Sequence, residues 1–185
     1  MSNNVILVDV DEVLADFQSP SLKIMGEVTG RNYTLSDFKT WDIFEELTPE
    51  ERDLVFDQIK QPGYATQLAP TPGSQEFVRE LSKLGTLYIV TSPFASPTWV
   101  YDRTKWLWDH FGIPSKRVVS TSAKHLVRGR ALLDDKPEHV DLWQEHHPDE
   151  LAMLWHIPNT TLLPHPNRVT SWSEVLNRVE RHLCR

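Results

Sequence analysis

Cysteine is almost missing from this chain: Cys184 is the single one in 185 residues. One chain can therefore build neither a disulfide framework nor a multi-cysteine metal centre. Positive charge is short too, with 19 Lys and Arg against 26 Asp and Glu and a net charge of −7. That balance argues against broad binding to nucleic-acid polymers or anionic membranes, but leaves room for a small phosphorylated ligand held locally. No apolar stretch is long enough to span a bilayer, and neither repeats nor low-complexity segments occur. Only Met1-Ser2-Asn3-Asn4 precedes the first apolar run. It lacks the basic and apolar regions of a leader, so a mature, cytoplasmic protein is expected. What the chain does have is 39% hydrophobic residues and seven Trp, enough for one packed core with a small insertion.

The organising stretch is Val5-Ile6-Leu7-Val8-Asp9-Val10-Asp11. An unbroken aliphatic run with no polar face predicts a strand buried on both sides, the habit of a parallel sheet. It ends in acid, and if strand geometry persists Asp9 and Asp11 leave the same face. A lone Asp there is ordinarily a turn former or helix cap. Two other predicted strands, however, end in Thr91-Ser92 and in Asp134-Asp135. Ligands of open α/β sheets bind at the carboxyl ends of the strands, so acids, hydroxyls and further acids arriving there predict a site.

In chain order, Phe17, Ile24, Met25 and Val28 fall at helical spacing. Thr48-Pro49-Glu50-Glu51 reads as a capping box opening a second helix with a stripe of Leu54, Val55 and Ile59, stopped by Pro62-Gly63. No strand is expected between Phe17 and Ala69, so residues 17–69 are predicted to be a small helical cap. Residues 1–16 and 70–185 are predicted to form the core, with Pro70-Thr71-Pro72-Gly73 as the return hinge. Phe77, Val78, Leu81 and Leu84 predict a helix, followed by a strand over 86–91. The next helical stripe is expected at Val100, Thr104, Leu107 and Phe111, with Trp99, Trp106 and Trp108 around it. Short strands at 118–119, 131–135 and 152–155, a helix over 137–147, a proline-containing loop from Ile157 to Asn167 and a final capped helix from Ser171 complete the pattern. Alternation at these lengths predicts an α/β fold with a doubly wound, Rossmann-like parallel sheet.

Taken together, Asp9-Val10-Asp11-Glu12-Val13, Thr91, Lys124 and Asp134-Asp135 resemble, in order and type, the four motifs of the haloacid dehalogenase-like phosphohydrolases. Val13-Leu14-Ala15-Asp16-Phe17, Pro62-Gly63, Pro72-Gly73, Thr91-Ser92-Pro93, Leu132-Leu133-Asp134-Asp135-Lys136 and Ser171-Trp172 are more closely similar to the 5′(3′)-deoxyribonucleotidases. The resemblance implies a haloacid dehalogenase-like core and a Mg2+-dependent phosphomonoesterase that hydrolyses deoxyribonucleoside 5′(3′)-monophosphates through an aspartyl phosphate, the alternative being the same chemistry on another small phosphate ester. It implies Asp9 as nucleophile and Asp11 as general acid and base, with the Asp11 backbone carbonyl also a metal ligand. Asp9 and Asp135 would ligate the metal directly. Asp134 would be a further ligand or orient water or Lys124. Thr91, Ser92 and Lys124 would hold the phosphoryl oxygens. Phe17 matches the aromatic that lies against sugar and base in relatives. Trp41 and Phe44, in the predicted cap, are candidates for stacking a base. The chemistry is independently sound, because a carboxylate approaches a phosphate dianion only if a cation neutralises it.

One departure is Glu12, where relatives commonly carry Gly; it is expected to point to solvent or to alter leaving-group access. Lys105 is the competing basic residue, and His146, His147, His156 and His165 lack metal-ligand spacing. A dehalogenase would have little use for Asp11. A receiver-like module phosphorylated on aspartate would need neither cap nor general acid. A homodimer is left open.

Overall fold

The computed structural model describes residues 4–158 and 164–184. Residues 159–163, within the loop expected between Ile157 and Asn167, lie outside them.

Six strands form one sheet in the order β3-β2-β1-β4-β5-β6, every neighbouring pair parallel. They are β1 (Val5–Val8), β2 (Thr86–Thr91), β3 (Val118–Ser120), β4 (Ala131–Asp134), β5 (Leu151–Trp155) and β6 (Arg168–Val169). The two-residue β6 has no sequence signature of its own; it pairs Leu154 with Arg168 at the sheet's edge. β1 is central because it is apolar on both faces: Ile6 and Val8 enter one buried cluster and Leu7 the other. The first cluster takes in α3 (Ser74–Leu84), α4 (Trp99–Phe111) and α6 (Trp172–Leu183). Val140 and Trp143 of α5 (Pro137–His146) cover the second. The sheet is thus clothed by helices on both faces, as the sequence predicts.

The order reverses direction at β1 and β4, which places the topological switch point between their carboxyl ends. Strand pairing of β1 stops at Val8, so Asp9 and Asp11 do not continue the strand. Instead the chain winds into one tight turn, with the Leu14 and Ala15 N–H groups both donating to the Val10 carbonyl and Glu12 N–H to Ala15.

From this turn the chain passes into α1 (Gln18–Thr29) and α2 (Pro49–Ile59), which pack on one another. The expected capping box of α2 is present in both directions. Within it Val55 and Ile59 are buried but Leu54 is exposed, correcting its place in the stripe. The chain returns beside its departure point. Asp16 N–H donates to the Ala69 carbonyl at 2.9 Å and Thr71 N–H to Leu14 at 2.8 Å, a short antiparallel ladder. Trp172 braces this return: its indole N–H donates to the Pro72 carbonyl at 3.0 Å and its ring stacks between Phe77 and Trp155.

α4 also departs from expectation. Its inward face is Trp99, Asp102, Arg103, Trp106 and Leu107, while Val100 is half exposed. Two indoles dominate the face, and the charged residues between them are buried because each finds a partner.

Candidate active site

Asp9 leaves the end of β1 with its N–H donating to Leu133, and Asp134 and Asp135 leave the end of β4 beside it. Carboxylate oxygens of Asp9, Asp134 and Asp135 all lie within 4.8 Å of one another, and all three residues are buried. Lys124 joins them from the loop after β3. Its ammonium lies 2.8 Å from Asp9 and 2.7 Å from Asp134, and the residue is 2% exposed.

The four charges do not balance. Burial pushes Asp9 up to about 6, with Lys124 opposing and Asp134 and Asp11 adding to the rise. Asp135 is held well above the usual carboxylate range, by burial first and then by Asp9 and Asp134. Burial works the same way on Asp134, but Lys124 and His139 outweigh it and its carboxyl is lowered. Lys124 pays a burial penalty as well, yet Asp134 and Asp9 keep it above its ordinary value. Asp134 is fully engaged by Lys124, the Lys136 N–H and His139. Asp9 and Asp135 are therefore the pair still short of positive charge. Hard oxygen donors crowded in this way are what a divalent cation requires, so the residues fit Mg2+.

At the end of β2, Thr91 Oγ1 and Ser92 Oγ are buried hydroxyls with no hydrogen-bond partner among the described residues. Buried hydroxyls are ordinarily satisfied, so this pair is short of partners that a ligand's oxygens would supply. Ser92, Asp9, Asp11, Lys124 and Asp135 line one cavity of about 590 Å3, a size suited to a small ligand.

Phe17, Trp41, Phe44 and Phe56, from the segment expected to be a cap, also line the cavity. Trp41 donates its indole N–H to Asp135 Oδ2 at 2.6 Å and lies beneath the Lys136 ammonium, 4.4 Å from the ring centre. Phe44 and Phe17 line the cavity but are more than nine-tenths buried. They pack edge to face on each other and, with Phe56, Phe94, Tyr64 and Trp99, form the cap–core seam. Phe94, which follows the Thr91-Ser92-Pro93 motif, is an aromatic of the cavity wall that sequence reasoning missed.

Glu12 does not point freely to solvent. Its backbone is left-handed, with φ of 60°, and its carboxylate folds over the start of α1 to accept from Phe17 N–H at 2.9 Å and Gln18 N–H at 2.6 Å. A conformation that suits glycine is thus held by a side chain that caps the first cap helix. Burial pushes this carboxyl up to about 8. Lys105 is exposed and paired with Asp109, away from the site. Arg103, unremarked in the sequence, reaches Asp11 from α4. The signal for it was a charge spaced four residues after Trp99 and three before Trp106.

Comparison with known proteins agrees with this geometry. A family model described as 5′ nucleotidase, deoxy (pyrimidine), cytosolic type C protein matches residues 3–183. A Staphylococcus epidermidis protein provisionally named 5′(3′)-deoxyribonucleotidase is 26% identical over 178 residues, 96% of each chain. A Bordetella bronchiseptica protein of the same provisional name is 33% identical over 138 residues, 72% of this chain and 74% of that one. Among solved structures, a provisionally described haloacid dehalogenase-like hydrolase from Burkholderia xenovorans superposes with a TM-score of 0.59 at 17% identity, covering 97% of both chains. A provisionally described phosphoglycolate phosphatase from Lactobacillus plantarum gives 0.59 at 14% identity, covering 96% of this chain and 99% of that one. These two show a shared fold.

Proposed function

The chain belongs to the 5′ nucleotidase, deoxy (pyrimidine), cytosolic type C family, a family of phosphoric monoester hydrolases, and from that membership we propose that it is a Mg2+-dependent enzyme hydrolysing deoxyribonucleoside 5′(3′)-monophosphates to nucleoside and phosphate. The observation that carries this reading is the meeting of Asp9, Lys124 and Asp135 on one cavity floor at the switch point of the sheet.

Asp9, deprotonated above about pH 6, attacks phosphorus through a carboxylate oxygen. The phosphorus–ester oxygen bond breaks as Asp11 gives its proton to the departing sugar oxygen. Water then attacks the aspartyl phosphate, Asp11 takes a proton from that water, and the bond from phosphorus to Asp9 breaks to release phosphate. Lys124, Thr91 and Ser92 hold the phosphoryl oxygens on which charge is spread during both transfers. Asp134 keeps Lys124 in place through its 2.7 Å contact. Asp9, Asp135 and the Asp11 backbone carbonyl would hold Mg2+, which when bound neutralises the phosphate dianion as a Lewis acid. Trp41 is the cap ring best placed to meet a base, since Phe17 and Phe44 are largely spent on the seam. The cap encloses the substrate and limits access of water to the intermediate.

Phosphate release from a panel of 5′- and 3′-deoxynucleotides, ribonucleotides and sugar phosphates, with Mg2+ present, tests the reading. The expected result is preferential turnover of deoxynucleotides. Turnover of sugar phosphates in preference would replace the substrate class, and no release from any ester would overturn the chemistry.

A further inference from the structure

α4 carries a charge that packing alone does not explain. Arg103 is 1% exposed, in a helix whose buried neighbours are Trp99 and Trp106. Its guanidinium carbon lies 5.1 Å from one indole ring and 5.6 Å from the other. Among the described residues its one ion pair is with Asp11, where Nη2 donates to Oδ1. Nε and Nη1 have no hydrogen-bond partner among the described residues. An aliphatic side chain would fill the space between two indoles without burying a charge, so packing gives no reason for arginine here. What arginine adds is a flat cation clamped on both sides, which offers a single edge to Asp11.

The helix bearing it is itself anchored. Asp102 Oδ2 accepts from Gly63 N–H at 2.8 Å and from the Thr98 hydroxyl at 2.7 Å. The Trp106 indole donates to the Leu68 carbonyl at 2.7 Å. α4 is thus tied to the segment where the cap returns, and Arg103 reaches the catalytic turn from a fixed frame. Asp11, by contrast, sits on that turn with its side chain 24% exposed to the cavity. A general acid works only when held within hydrogen-bond reach of its target, and a mobile carboxylate on a turn needs a support.

We propose that Arg103 is the positioning residue that holds Asp11 for proton transfer to the leaving-group oxygen. With Oδ1 engaged by Nη2, Oδ2 is the oxygen that gives the proton to the sugar oxygen as its bond to phosphorus breaks. Arg103 itself transfers nothing. This rests on the phosphomonoesterase reading above and adds to it the group that aims the acid.

Leaving-group dependence distinguishes aiming from packing. An alkoxide needs a proton to depart, whereas a nitrophenolate does not. We would therefore compare kcat/KM, which reports only as far as leaving-group departure, for a deoxynucleoside 5′-monophosphate and p-nitrophenyl phosphate. Arg103→Met is expected to lower the value for the nucleotide by roughly 10²-fold and that for the aryl ester by less than about 5-fold. A burst of nitrophenolate should then appear, because Asp11 is also misplaced for attack by water. Arg103→Lys, which keeps the charge without the flat edge, should lose about 10-fold on the nucleotide alone. It carries the same comparison if the Met variant does not fold. Equal losses on both esters, or no loss on either, would overturn the proposal. A wild-type enzyme that hydrolyses neither ester would instead overturn the functional reading on which it stands.

Discussion

The floor of the site and the outer face of the cap use the same charged groups to opposite ends. On the floor Asp9, Lys124, Asp134 and Asp135 are at most 5% exposed. On the cap, Arg31 pairs with Glu51 and Lys23 with Glu27, with side chains between 27% and 80% exposed. Solvated pairs contribute little, because water screens them and ordering two long side chains offsets the attraction. Buried ones lose their hydration, so three carboxylates sharing one ammonium depend on that cation far more than it depends on any one of them. The difference teaches that the floor is organised for chemistry at the expense of stability, and the cap face for solubility.

The contrast is sharpest in activity. Asp9→Asn should lower turnover by about 10⁴-fold or more, without loss of fold, because it removes a charge that burial disfavours. Chemical denaturation should show equal or greater stability alongside the lost phosphate release. Lys124→Met is expected to reverse that outcome for the fold. It leaves three carboxylates without their ammonium, and the unfolding free energy should fall by about 3–5 kcal/mol. A loss under 1 kcal/mol would make the floor energetically like the surface and break the comparison.

Proton linkage comes next. Asp9 is raised from 3.8 to about 6 and Glu12 from 4.5 to about 8. Between those limits the native chain binds protons that the unfolded chain has released. Stability of the metal-free protein should therefore decline as pH rises from about 4 to 8. Asp134, lowered instead, acts only at more acid pH. Glu12→Gln should flatten the upper part of that decline. Mg2+ at 100 times its Kd should restore about 2.7 kcal/mol near pH 7 and less near pH 5, where its ligands hold protons. Urea midpoints measured across pH, with and without Mg2+, check both statements. Smallest of all, Arg31→Gln on the cap should change stability by less than about 1 kcal/mol; a larger loss would show that exposed pairs also bear load.

Much of this arrangement was legible in the sequence because it rests on local pattern. An apolar run ending in acid marks a central strand, and Thr48 with Glu51 marks a helix start; both stand as expected. The strand order could not be read, since β1 pairs Val5 with Thr86 of β2 and Ile6 with Ala131 of β4, both far along the chain. The expectation for α4 erred for a related reason. Valine at position 100 scores as apolar, while a buried Arg103 makes sense only once Asp11, 92 positions away, is seen beside it. Glu12 misled in the same manner: its role depends on folding back over Phe17 and Gln18, and composition carries no information on that direction. Trp41 was picked out as a ring for stacking, while its indole bond to Asp135 joins two segments that have no sequence relation.

The ladder at residues 14–16 and 69–71 brings the two ends of the cap side by side and bonds them to each other. Whatever lies between them closes a loop whose ends are already tied, so a change in its length is expected to be tolerated where the ring contacts of Phe17 and the bond from Trp41 to Asp135 are kept. A graft from a relative with a different cap should leave the nucleophile's turn intact while changing which ester reaches it.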